Sequence, residues 1–304
     1  MTATIANDGL LNSSDLLLAT LLKDHTTTPI DAGNNQQLWR NIIWATHDYE
    51  NKGEGYGFND QITPMNITGE GVTIRPRALK NKSERISRSK NMAEVFTPAW
   101  VCNKQNNLVD NQWFGKEGVF NTENADGTWT VNTCKITFPK GRTWQEYVTE
   151  QRIEISCGEA PYLVSRYDAT TGQPMPVENR IGLLDRKLRI VSENTNDEPS
   201  WIHWASIAIQ STYGFEYQGD SLLIARESIL ATFKDFYEDK FQHPMSESSP
   251  QHIKILEDIA NYISCNIFQM DGTTLCIPGT SIKAIITDWR KNGGERLYFS
   301  NCLD

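Results

Sequence analysis

Glu154, Glu216, Asp271 and Asp288 each close a short apolar run, where a carboxylate is placed to accept hydrogen bonds from a ligand. The first of them opens the stretch Glu154-Ile-Ser-Cys-Gly-Glu-Ala-Pro-Tyr-Leu. It reads as a buried strand that stops on a small-residue turn around Cys157 and Gly158, then enters an apolar helical face at Tyr162-Leu163-Val164. A turn of that kind before a helix N-terminus leaves main-chain N–H groups free and lets a ligand approach the backbone closely. In an open α/β sheet this is the nucleotide end of the pocket. Glu216 ends the next strand, Ser211–Glu216, and a bidentate, acceptor-only group there suits both hydroxyls of a ribose. Asp288 and Trp289 end a later strand, Ile282–Thr287.

These positions need a frame. Residues 1–50 read as mostly helical, with a helix near Leu16–Leu22 capped at Ser13 or Ser14 and Trp39-Arg-Asn-Ile-Ile-Trp-Ala at helical spacing. From Asn51 to Arg75 the chain is Gly-rich and reads as a surface loop. Thr128–Val131 and Lys135–Phe138 alternate around a polar turn and predict a hairpin. After Asp168 comes a polar insertion, then helices Ile181–Val191 and Trp201–Gln210. Strand Ser211–Glu216, helices Ser221–Tyr237 and His252–Ile263, and strands Asn266–Met270 and Ile282–Thr287 follow. Strands alternating with helices predict a mainly parallel α/β sheet with right-handed crossovers.

The 304 residues, 38% hydrophobic and 22% charged, describe a globular chain with a sizeable core. No apolar run is long enough to span a membrane. Six scattered cysteines, with no Cys-x-x-Cys pair and no His at ligand spacing, predict neither a metal site nor a disulfide framework and fit a reducing cytoplasm. The net charge of −9 argues against a general nucleic-acid coat. One segment runs the other way: Arg75, Arg77, Lys80, Lys82, Arg85, Arg88 and Lys90 surround Glu84 alone, a candidate patch for DNA phosphates or else a solvated loop.

Glu154-Ile-Ser-Cys-Gly-Glu-Ala-Pro-Tyr-Leu resembles the first motif of the N6-adenine DNA methyltransferases, Asp-Pro-Ala-Cys-Gly-Ser-Gly-x-Phe-Leu. Glu154 stands for the acid, Cys157 and Gly158 are identical, Ala160 replaces the second Gly, and Tyr162-Leu163 match the aromatic-Leu pair. Ile155 and Glu159 depart from it. Glu216 and the Ala-Arg helix after it resemble the second motif, and Asp271-Gly272 resembles the third, whose acid meets the adenine amine of the cofactor. Phe96-Thr97-Pro98 resembles the tenth, which in the gamma-type enzymes precedes the first and packs on the methionine end of S-adenosylmethionine. Thr97 there reads as an N-cap and Pro98 as the first helical residue.

The resemblance runs from about residue 91 to 290 and implies the M-subunit-like branch of the gamma N6-adenine methyltransferases of restriction–modification. It implies residues 91–304 as an S-adenosylmethionine-dependent, Rossmann-like methyltransferase domain, preceded by a helical and irregular region, 1–90, that carries the basic segment. The fourth motif, Asn/Asp-Pro-Pro-Tyr/Phe, is replaced by Asp288-Trp289, so these two become the expected catalytic pair without their prolines. Only 16 residues follow Asp288, so the sheet is expected to be incomplete at the C-terminus unless a second protein subunit completes the site. Two functions follow: a DNA adenine methyltransferase or its subunit, or a catalytically silent cofactor-binding partner that assembles or regulates such a complex.

Overall fold

A computed structural model describes residues 15–31, 37–68, 74–92, 97–246, 248–291 and 293–303. In chain order the elements are α1 (Asp15–Leu22), β1 (Ile30–Asp31), β2 (Gln37–Leu38), α2 (Pro64–Ile67), α3 (Lys82–Met92) and α4 (Ala99–Phe114). Then come β3 (Asn121–Glu123), β4 (Trp129–Val131), α5 (Trp144–Thr149), β5 (Arg152–Glu154), α6 (Leu183–Asn194) and α7 (Glu198–Gln210). The last are β6 (Thr212–Glu216), α8 (Gly219–Phe241), α9 (Pro250–Asn266), β7 (Ile267–Gln269), β8 (Ile285–Asp288) and β9 (Glu295–Tyr298). The protein is mixed α/β, with small open sheets.

β5, β6 and β7 form a three-stranded parallel sheet in that order, with Glu154 opposite Gly214 and Glu216 opposite Gln269. Alternation along β6 divides its side chains between two faces. Gly214 turns toward Cys157, Leu163 and Ile267; a Cβ there would lie 3.3–3.4 Å from those side chains, so no larger residue fits freely. That face joins a helical core containing Trp201, Leu223 and Ile263. Phe215 and Phe268 lie on the other face and pack with Ile286 and Phe299 of the C-terminal segment. A β-hairpin, not a helix, therefore covers the second face.

Leu17, Trp44 and Ile62 belong to the same core as Leu222 and Ile263, so residues before 90 are packed into the body of the protein. The helix α1 forms where expected; its anticipated caps, Ser13 and Ser14, lie outside the described residues. The helix anticipated over Trp39–Ala45 does not form. Instead the chain is extended there, bridging Lys23 to Asn41 and Ile43 to Gln61. The Gly-rich stretch folds onto it, and Trp44 donates its indole N–H to the Gly55 carbonyl at 3.1 Å. Periodicity misled because Ile42 and Trp44 are both buried, the two-residue repeat of a strand.

Two other expectations shift. Trp129–Val131 pairs upstream with Asn121–Glu123, because Asp126-Gly127 supplies the turn, and Lys135–Phe138 is irregular. No helix begins at Tyr162. The chain turns and wanders until Gly182, where the Asp185 carboxylate accepts the amides of Ser165 and Gly182 at 2.8 and 2.9 Å. Helix α6 starts there and pins α4 through a buried ion pair, Arg186 to Asp110 at 2.6 Å. No helix among the described residues is long and apolar enough to cross a membrane.

Candidate functional site

The chain leaves β5 through a tight turn in which Ser156, Gly158 and Ala160 have φ of 48°, 55° and 62°. Glycine takes this left-handed conformation freely; Ser and Ala are strained in it. The strain is held from both sides. Within the turn, Cys157 N donates to the Phe215 carbonyl at 2.8 Å and Ala160 N to the Cys157 carbonyl at 2.7 Å. Around it, the Glu154 carboxylate accepts from Tyr162 N and Leu163 N at 3.4 and 3.2 Å. The Glu216 carboxylate accepts from Gly158 N at 2.9 Å and Gln218 N at 3.1 Å.

Both acids are buried, and among the described residues neither has a cation within ion-pair distance. Burial pushes the Glu154 carboxyl well above its ordinary range, against the Tyr162 and Leu163 amides, and the Glu216 charge adds to the rise. Burial raises Glu216 as well, opposed by the Gln218 and Gly158 amides. The Cys157 thiol is pushed up by burial and by both carboxylates, which keeps it an unreactive packing group. Main-chain amides thus reach both Glu216 oxygens.

Glu159, a departure from the first motif, points elsewhere. It accepts from Arg77 N at 2.6 Å and from the Tyr167 hydroxyl at 2.7 Å, fastening the basic segment to the turn. A second fastening lies at the end of β6. Arg88, also buried, bonds Asp48 and Asp220 at 2.8 Å each, together with Gln218. Lys80 lies 3.6 Å from the same Asp220. Burial alone would raise Asp220, yet Arg88 and Lys80, with hydrogen bonds from Arg88 and Tyr49, hold its carboxyl well below the carboxylate range. The phosphate-patch expectation is corrected accordingly: Lys80 and Arg88 face inward as structural cations. Arg75 and Lys82 are exposed, Arg85 is half-buried, and the Lys90 side chain lies outside the described residues.

Asp271 sits beside Glu216, because Met270 N donates to the Glu216 carbonyl at 3.0 Å. Its carboxylate closes a turn, accepting from Thr273 N and Oγ1 at 2.8 and 2.6 Å, and those bonds lower its pKa despite partial burial. Phe96 lies outside the described residues. Thr97 adjoins the Tyr162 hydroxyl, and its carbonyl lies 3.8 Å from the Cys102 sulfur. The N-cap of α4 is Pro98, one residue later than expected, and the Asp168 carboxylate receives the Ala99 amide at 2.8 Å. Asp168 was not legible as a helix cap, since it lies 69 residues away.

The expected catalytic pair does not join this group. Trp289 donates its indole N–H to Asn266 Oδ1 at 2.6 Å, and Asn266 in turn donates to the carbonyls of Ile209, Gln210 and Thr212. Those carbonyls and Asn266 mark the beginnings of β6 and β7, whereas Glu216 ends β6 and Asp271 follows β7. Asp288 is bound by Arg290, through Nη2 at 2.7 Å. Asp288 and Trp289 therefore stand at the opposite edge of the sheet from Glu154, Glu216 and Asp271. The physical reason is that β8 pairs antiparallel with β9 and not with the parallel strands, so its end does not share their edge.

The structure thus brings together Thr97, Glu154, Cys157, Gly158, Ala160, Glu216 and Asp271. The arrangement sets two buried carboxylates and a left-handed glycine at the strand ends. It contains no described nucleophile in an activated state. No family model, curated protein or solved structure matches this chain.

Proposed function

We propose that this protein binds S-adenosylmethionine on a Rossmann-like sheet and serves as the cofactor-binding, catalytically silent partner in a DNA-modifying complex. The observation that carries the reading is Glu216: it ends the middle parallel strand and braces the Gly158 turn with a carboxylate of two acceptor oxygens. A ribose diol needs that pair of acceptors. The order of the three parallel strands, β5-β6-β7, is compatible with one half of such a sheet. The residues present fit the cofactor to that extent; bound, it would supply an activated methyl group. Gly158 gives main-chain access, Glu216 holds the ribose, and Asp271 faces the adenine amine.

The silent-partner reading is favoured over an adenine methyltransferase by the placement of Asp288 and Trp289, which are engaged by Arg290 and Asn266 at the far edge. The setting proposed is cytoplasmic, with DNA as the substrate of the complex and the exposed Arg75 and Lys82 as backbone contacts. The test is calorimetric titration with S-adenosylmethionine. Wild type binds, and Glu216→Gln, which keeps one acceptor and the size of the side chain, weakens binding about tenfold, as loss of a charge-assisted bond of about 1.5–3 kcal/mol requires. Equal affinity of the two proteins rejects the ribose assignment. Methyl transfer to adenine by the purified chain rejects silence.

A further inference from the structure

Glu216 is only 8% exposed, too little for a ribose diol to meet both its oxygens. Residues 77–89 run beside it, held by two fastenings, and each fastening adjoins an amide that serves Glu216. Arg77 N donates to the Glu159 carboxylate at 2.6 Å, one residue from Gly158, the first amide. Arg88 donates to the Gln218 side chain, and the Gln218 main chain supplies the second amide. The two ends of the segment are also tied to each other, because the Arg77 guanidinium donates to the Ser89 hydroxyl at 2.9 Å. A strap thus reaches from the turn after β5 to the turn after β6, with Glu216 between its fastenings.

Charge holds the strap more than apolar burial does. Among its described side chains Ala78 and Leu79 are half-buried and Ile86 is 46% exposed. Against these stand Arg88, bound to Asp48 and Asp220 at 2.8 Å each, and Lys80, 3.6 Å from Asp220. Lifting the strap whole returns both partners of each pair to water, and their hydration offsets much of the attraction lost. We propose that residues 77–89 form a releasable strap over Glu216, closed in this structure, and that a polyanion drawn to its cations lifts it and admits the ligand. The bias comes from what each state presents. Closed, the strap offers exposed Lys82 and half-buried Arg85; lifted, it adds Lys80 and Arg88, which the body now buries. A polyanion therefore binds the lifted state more tightly, and only such a difference moves the equilibrium. The DNA of the proposed complex is a polyanion of this kind. The inference rests on the cofactor reading for what the strap admits, but not for the strap itself.

Hydrogen exchange and calorimetry on the full chain test this. The Arg77 amide exchanges by local release, about tenfold or more faster than the amides in the buried part of α8. A short DNA duplex speeds it further, by about fivefold or more, the scale of ordinary coupling between sites. S-adenosylmethionine binds about tenfold more tightly to Arg88→Gln, because a closed fraction reduces apparent affinity in proportion. It also binds more tightly to wild type when the duplex is present. The stability of Arg88→Gln falls while its affinity rises, which simple damage to the fold would not produce. Should that variant fail to fold, Ser89→Ala, which loosens the Arg77 clasp without baring a buried charge, shows the same direction of change. Arg77 exchange as slow as that of α8, exchange unmoved or slowed by the duplex, or a measured affinity unchanged or lowered in the variant overturns the proposal. If neither protein binds S-adenosylmethionine while the duplex speeds the Arg77 amide, the cofactor reading fails and the strap stands.

Discussion

The Glu216 carboxylate accepts the Gly158 amide at 2.9 Å, so the acid that ends β6 fixes the turn that ends β5. The two residues are 58 apart in the chain. Their bond couples the acid proposed to hold the ribose to the conformation of the neighbouring turn. Gly158 has φ of 55°, and an L side chain there costs roughly 1–2 kcal/mol. Gly158→Ala is therefore expected to lower the thermal midpoint by a few degrees and to weaken S-adenosylmethionine binding together with it. Calorimetry and thermal denaturation of the one variant check both. A fall in stability with unchanged affinity would separate the turn from the site.

Burial raises Glu154 in the folded protein above its value of 4.5 in the open chain. The folded state then holds the proton more tightly, so this carboxyl's contribution to stability is complete below pH 4.5 and is lost as pH rises through the window up to the folded pKa. Glu154→Gln removes that titration. Its thermal midpoint relative to wild type should rise between pH 4.5 and pH 7, read by denaturation across the range. Asp220 acts in the opposite sense: lowered from 3.8, it contributes stability that is complete above that value and is lost on acidification below it.

Trp289 acts as a clasp at the beginnings of β6 and β7 through Asn266, with Tyr262 against its ring at 5.1 Å. Trp289→Phe should cost about 1 kcal/mol, the worth of one hydrogen bond, and leave S-adenosylmethionine affinity unchanged. Urea denaturation and calorimetry test this. A loss of affinity with stability intact would return Trp289 to the ligand site.

The Arg186–Asp110 pair ties α6 to α4 out of contact with solvent, and Asp110 also accepts the Tyr147 hydroxyl at 2.8 Å. Asp110→Ala leaves a buried guanidinium without its counter-charge and is expected to destabilise by about 3–5 kcal/mol. Chemical denaturation measures it. A change under 1 kcal/mol would mean that Asn103 and Asn107, which also bond Arg186, carry the contact alone.

Within the basic segment, exposure separates Arg75 and Lys82 from Arg88. On the proposed DNA contact, substituting Arg75 and Lys82 by Gln should flatten the salt dependence of binding by about one counterion per contact and leave stability unchanged. Arg88→Gln should instead destabilise the protein, because Arg88 links Asp48 and Asp220. Filter binding at several salt concentrations, with melting curves for each variant, discriminates the two.

Local patterns determined much of this molecule. Residues 183–194, 198–210, 219–241 and 250–266 are helical close to where apolar spacing and caps place them, and the strands ending at Glu216 and Gln269 fall in the expected order. The small residues at 156–160 signalled a sharp turn, and the turn is there. These features are written in a few neighbouring residues, whose backbone preferences and burial patterns act over one element. Tertiary structure alone decided the rest. Whether Ile42 and Trp44 sit on a helix or an extended segment depended on Gln61 and Gly55, residues of another stretch. Arg88 looked like a solvent cation until Asp220, 132 residues away, was brought to it. Asp288 and Trp289 ended a strand as anticipated, but the edge of the sheet they reached was set by the pairing of β8 with β9. Strand pairing and buried charge are long-range interactions, and their partners are chosen by how the elements pack.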